Sequence, residues 1–138
     1  MVWLLYACVS AVTAALTAIL AKIGIEGVPS TLATAIRTIV VLTFVWAMVF
    51  ASGEHRAMAS ITRRSLIFLF YSGLAAGVSW LAYFRALQLG PASRVAPIDK
   101  LSLPLTIVLA ALILGESIGW RVATGVALMT VGALLTIS

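Results

Sequence analysis

The sequence predicts an all-α membrane protein with five transmembrane helices. Three observations carry that prediction. Of the 138 residues, 63% are hydrophobic and only 9% are charged, where a soluble domain typically carries about 25% charged residues. The apolar residues come in blocks rather than at amphipathic spacing, and each block is roughly 20 residues, enough to cross ~30 Å of hydrocarbon at ~1.5 Å per residue. The connections "GIEGVPS", "GP" and "GES" are very short, so successive helices run antiparallel beside each other.

The first span covers about 3–23. Its N-terminus lacks a positively charged leader and its apolar run is long enough to span, so it reads as a helix and not as a cleavable signal. Ala7, Ser10, Ala14, Thr17 and Ala21 place small residues along one face of it. The second span, 31–51, follows Pro29 and carries Arg37. The polar stretch 52–64 is the one long connection. The third span, 65–89, contains Gly73 and Gly77 in a GxxxG spacing, and then Trp80, Tyr83 and Arg85. The fourth, 92–114, holds Asp99 and Lys100 between Pro97 and Pro104. The fifth, 118–137, has Gly125 and Gly132 on one face. Small residues let helix backbones approach closely, so Ala14, Thr17, Gly73, Gly77, Gly125 and Gly132 are the expected helix-packing positions, within the bundle or against another subunit. Residues 1–138 read as a single domain without a soluble appendage.

The formal charge of +5 does not point to nucleic acid, because the cations lie at span ends and in one loop, with no basic run interleaved with aromatics. An enzyme is not expected either. The chain offers one His in a loop, a single Cys8 in an apolar segment, and no metal-ligand spacing. No cofactor or metal is expected. A channel filter would need a ring of charges or carbonyls, which the sequence does not show.

Five spans put the termini on opposite sides. Arg56, Arg63, Arg64 and Arg121 flank the N-terminal side, and Lys22, Arg85 and Arg94 flank the other. The positive-inside rule therefore leans towards a cytoplasmic N-terminus in the inner membrane. The margin is four cations against three, thin enough to permit insertion both ways round.

Helix direction gathers the intramembrane charges. Arg37 lies roughly 9 Å in from the start of the second span, and Asp99 and Lys100 roughly 10 to 12 Å in from the start of the fourth, both entering from the same side. Lys22 and Arg85 end the first and third spans near that level. A charge at the bilayer centre costs about 2.5 to 3.5 kcal/mol on insertion scales, so Arg37, Asp99 and Lys100 should face a wet cavity, pair with each other, or both. Asp99 and Lys100 are about 100° apart on a continuous helix, a poor geometry for pairing. Arg37 is the better expected partner of Asp99. Ser102 and Thr106 continue the Asp99 face as a polar stripe. The bland readings are a structural salt bridge, and for Lys22, Arg85 and Arg94 snorkelling to the surface. Trp80 and Tyr83 cross the same layer, as packing or interface anchors or as substrate contacts. Either both prolines free backbone carbonyls at a broken helix, or Pro97 sits in a first turn and Pro104 alone kinks the span. Glu116 reads as a cap or surface group near Arg121.

These residues resemble a known family. "GLAAGVSWLAYFRALQLGPASRVAPIDKLSLPLTIVLAALILGE" and "AKIGIEGVPSTLATAIRTIVVL" resemble the EamA-type unit of the drug/metabolite transporter superfamily, in its short five-span bacterial and archaeal form. The resemblance implies a transporter of small metabolites or drugs built from one such unit. Larger relatives carry two inverted units around a central cavity, so this chain would work as a homodimer, with the second copy inverted. The expected partners are a small-molecule substrate and the lipid bilayer. Lys22, Arg37, Trp80, Tyr83, Arg85, Asp99, Lys100, Ser102 and Thr106 are the candidate substrate or proton pathway, with Asp99 as the protonatable group. The rival reading is a non-transporting assembly subunit, which predicts a dry bundle with every charge paired.

Overall fold

A computed structural model describes residues 2–136. The described residues form helices and turns without a strand: α1 (Val2–Gly24), α2 (Ser30–Ser52), a 3-10 stretch (Glu54–Ser60), α3 (Arg63–Leu89), α4 (Ala92–Asp99), α5 (Ser102–Leu109), a π turn (Ala110–Leu114) and α6 (Trp120–Leu135). Four helical stretches are long and apolar enough to cross a membrane: Val2–Gly24, Ser30–Ser52, Arg63–Leu89 and Ala92–Leu114. Trp120–Leu135 is a shorter apolar helix. The fold is that of an all-α membrane protein.

The ends of the elements follow from local chemistry. α1 stops at Gly24 and the chain turns through Gly27 at φ 73°, a left-handed conformation that a residue with a Cβ adopts only with strain. Pro29 then holds the N-cap of α2 at φ −55°. Gly53, also left-handed at φ 75°, closes α2 by donating its N–H to the Phe50 carbonyl. Thr62 starts α3: its hydroxyl oxygen accepts the Ser65 N–H at 3.2 Å and meets the Ser65 hydroxyl at 2.8 Å. That is an N-cap, and it begins the helix two residues earlier than apolarity alone predicts.

The chain divides into two compact units, Leu20–Gln88 on one hand and Met1–Ile19 with Leu89–Ser138 on the other. In the first, the buried residues Ile25, Ala33, Thr34, Phe84 and Leu87 all belong to the end where α1 finishes, α2 starts and α3 finishes. The opposite half of α2 and α3 exposes Phe44, Phe50, Leu66, Phe68 and Phe70, an apolar surface suited to lipid. In the second unit, α6 packs against α4 and α5.

The fourth span is interrupted. α4 ends at Asp99, Lys100 and Leu101 form a turn, and α5 begins at Ser102. Pro97 lies inside α4, while Pro104 is the third residue of α5. The alternative with Pro97 in a first turn and Pro104 as the sole kink is thus reversed. A proline is tolerated in a first turn because its missing N–H has no partner there anyway. The Lys100 carbonyl is not orphaned, as a proline four residues on implies. It accepts the Leu103 N–H at 3.0 Å instead.

The expected packing positions are only partly engaged. In α1 the buried small residue is Ala18, while Thr17 is half-buried and Ala14 exposed. A Cβ added at Gly73, Gly77, Gly125 or Gly132 would meet no atom of its own unit within 4 Å. Close helix contact at these glycines would come from outside that unit.

Candidate functional site

The end of the Leu20–Gln88 unit where its core lies also holds its membrane-level cations. Leu87 explains part of the arrangement. Its carbonyl sits on the last turn of α3, and the residue four positions on is Pro91, which has no N–H to give it. Leu87 is completely buried, so water is excluded as well. Lys22, in the last turn of α1, supplies the missing donor through its Nζ. A cation at a helix C-terminus is also favoured by the helix dipole. Beside it, Gln88 donates Nε2 to the Val28 carbonyl in the α1–α2 turn at 2.6 Å, and Arg85 donates Nη1 to the Gln88 Oε1 at 3.1 Å. Lys22 and Gln88 thereby tie the end of α3 to the end of α1 and to the turn after it, while Arg85 braces Gln88 from within α3.

A cavity of about 460 Å³ opens at this junction, lined by Lys22, Ile23, Ile25, Glu26, Gly27 and Gln88. It offers a cation, a carboxylate and an amide on an apolar wall. Glu26 and Gln88 were not among the sequence-predicted site residues. A glutamine at the end of an apolar span is an ordinary boundary residue, and only the fold brings it to Val28.

Arg37 lies one to two turns into α2, behind the buried Ala33 and Thr34. Its guanidinium carbon stands 4.7 Å from the centroid of the Trp80 ring and 5.4 Å from that of Phe84. Trp80 and Phe84 are four residues apart, hence on the same face of α3. Sequence reasoning included Trp80 and missed Phe84, although that spacing was the available signal. Tyr83 is half-buried, with its ring 6.5 Å from that of Phe84 in an edge arrangement.

In the second unit, Asp99 and Lys100 pair with each other, Nζ to Oδ2 at 3.5 Å. The expectation that they would pair poorly fails because the helix stops between them. Lys100 is the C-cap of α4, at φ −71° and ψ −7°, and the 100° separation of a continuous helix does not apply. The side chains are 37% (Asp99) and 58% (Lys100) exposed, and an exposed pair typically contributes only about 0 to 1 kcal/mol. Such a contact opens readily. Ser102 and Thr106 are both exposed on α5, and the Thr106 hydroxyl donates to the Ser102 carbonyl at 2.8 Å.

The candidate residues therefore fall into two groups, each described by itself: cations on α1, α2 and α3 in one unit, and an acid–base neighbour pair at a helix break in the other. A model of the EamA-like transporter family matches residues 1–138. The chain is 48% identical over 133 residues to a protein of Sinorhizobium sp described as "Uncharacterized transporter in cobO 3'region", covering 96% of this chain and 94% of that one. No solved structure matches the chain. The full-length family match, the near-full-length relative and the apolar helices together identify the chain as a multi-pass membrane transporter that belongs to the EamA-like transporter family.

Proposed function

We propose that the chain is the subunit of a secondary transporter that moves a small polar or anionic metabolite across the inner membrane by alternating access. Residues 1–138 act as one transport unit, and two copies form the pathway as a homodimer. The observation that carries this reading is the interrupted fourth span, which sets Asp99 and Lys100 at a helix break. Transporters place ion and substrate sites at discontinuous helices, where non-helical backbone borders a cavity. Asp99 is the coupling group that takes up and releases a proton, and Lys100 and Arg37 receive the acidic group of the substrate. Lys22, Arg85, Trp80, Tyr83, Ser102 and Thr106 line the approach.

Uptake into proteoliposomes, with and without an imposed pH gradient, tests the reading across a panel of amino acids and organic anions. Accumulation of at least one compound should depend on the gradient. Should a folded, oligomeric preparation accumulate nothing under either condition, the assembly-subunit reading would take its place.

The balance of flanking cations supports an N-terminus that is mainly cytoplasmic, with an inverted fraction that supplies the second copy. A cysteine introduced at Ala59, in a Cys8→Ser background, should react with an impermeant thiol reagent from both faces, more strongly from the cytoplasmic one. Labelling from one face alone would remove the inverted pairing and require a parallel dimer or a partner chain.

A further inference from the structure

Arg37 presents an unusual state for a guanidinium at membrane depth. Its guanidinium carbon lies over the rings of Trp80 and Phe84, 4.7 and 5.4 Å from their centroids, and the residue is half-buried. Among the described residues of its unit, no carbonyl, carboxylate or hydroxyl accepts a hydrogen bond from it. The two kinds of contact use different parts of the group. Stacking on an aromatic ring engages the guanidinium plane, and hydrogen bonding engages the five N–H bonds around its edge. Here the ring contacts leave the N–H bonds without an acceptor in the same unit.

The ring contacts also fix orientation. Trp80 and Phe84 come from successive turns of α3, and the buried Ala33 and Thr34 lie a turn before Arg37 on α2. A long, flexible side chain is thus held in place before any ligand arrives. That removes part of the ordering penalty of binding. A cation with no acceptor in its own unit, set among apolar side chains, attracts an anion, and a planar fork prefers one with two oxygens to offer.

We infer that Arg37, positioned by Trp80 and Phe84, is a subsite for the carboxylate or phosphate group of a soluble solute. This rests on the transporter reading and narrows it, since the solute carried would be an organic acid, a carboxylate-bearing zwitterion or a phosphate ester. Trp80 and Phe84 are positioning residues in this scheme. They act through the guanidinium.

Trp80 provides its own reporter. With Trp3, Trp46 and Trp120 replaced by Phe, the full-length chain in zwitterionic lipid nanodiscs emits from Trp80 alone. Titration at constant ionic strength with succinate and with inorganic phosphate should give a saturable change in emission for at least one of them, and ethylammonium should give none. Arg37→Gln should weaken the response about tenfold or more, the factor expected when a hydrogen-bonded charge is lost. Arg37→Lys keeps the charge without the fork, so it should also weaken binding while guarding against a simple folding defect. Phe84→Leu should fall between Arg37→Lys and the wild type. The inference is overturned by the absence of any saturable response, by a response unchanged in Arg37→Gln, or by one that follows only the anionic lipid content of the nanodisc. It is equally overturned if the starting protein is silent and Asp99→Asn makes it respond, because Arg37 would then be held by that carboxylate. Transport without an anion response at Trp80 would sink this inference alone. An anion response without transport would sink the transport reading instead.

Discussion

Asp99→Asn should leave the protein folded and oligomeric while abolishing the dependence of transport on a pH gradient. The carboxyl group stands at a helix break, 37% exposed, and its recorded partner is the neighbouring Lys100 at 3.5 Å. An exposed neighbour pair contributes about 0 to 1 kcal/mol, so losing it leaves the fold intact. The amide is nearly isosteric with the acid but carries no exchangeable charge, which removes proton coupling without removing volume. Lys100→Ala should weaken the handling of an acidic substrate more than it weakens stability. The opposing case is a sealed structural ion pair, where removing one partner leaves a buried unpaired charge at a cost of roughly 3 to 5 kcal/mol. Thermal unfolding and gradient-driven uptake, measured on the same preparations, separate the two. Parallel loss of fold in both variants would end the transport role of this pair.

Lys22→Met should destabilise the Leu20–Gln88 unit by about 2 to 3 kcal/mol, the range for a lost hydrogen bond to a charged group that also strands a buried acceptor. Methionine keeps the apolar stem of the lysine, so the change isolates the donor. The Leu87 carbonyl lies in the last turn of α3, where carbonyls have no helical partner, and the residue four positions on is a proline. Lys22→Arg keeps a charged donor at the same position and should recover part of the loss. Denaturant titration of the two variants, followed by tryptophan emission, reads both effects. A neutral Lys22→Met would mean that water reaches the carbonyl, and the capping role of Lys22 would fail with it.

Much of the helical framework was legible in the sequence because apolar length is a strong signal. The first three spans, expected at 3–23, 31–51 and 65–89, appear as Val2–Gly24, Ser30–Ser52 and Arg63–Leu89. The last begins at Trp120 and not at residue 118, because Gly119 is still extended at φ −67° and ψ 149°. Its expected end at residue 137 lies outside the described residues. The fourth span was the hard one. Composition shows that Pro97 and Pro104 disturb a helix, but not which turn each occupies. That depends on where the chain exchanges i+4 bonds for i+3 bonds. The contacts of Lys22, Gln88 and Arg37 were illegible for a different reason. Depth counting brings residues to one level, but the choice of partner is made by the packing of α2 and α3, where Phe84 and Leu87 are buried.

The joint between α4 and α5 has a mechanical consequence. Leu101 and Leu103 each donate a backbone N–H to the carbonyl three residues back, those of Ile98 and Lys100, and the Lys100 N–H is shared between the carbonyls of Pro97 at 3.1 Å and Ala96 at 3.3 Å. A 3-10 turn advances about 120° and 2.0 Å per residue, where an α-helix advances about 100° and 1.5 Å. Each residue in such a turn therefore winds α5 roughly 20° further round than a continuous helix would. Pro104 keeps the winding in place, since a return to full α pitch would leave the Lys100 carbonyl facing a residue without an N–H. The joint is thus a short thread of set pitch, in which the added rise of about 0.5 Å per residue is tied to an added turn of about 20° per residue.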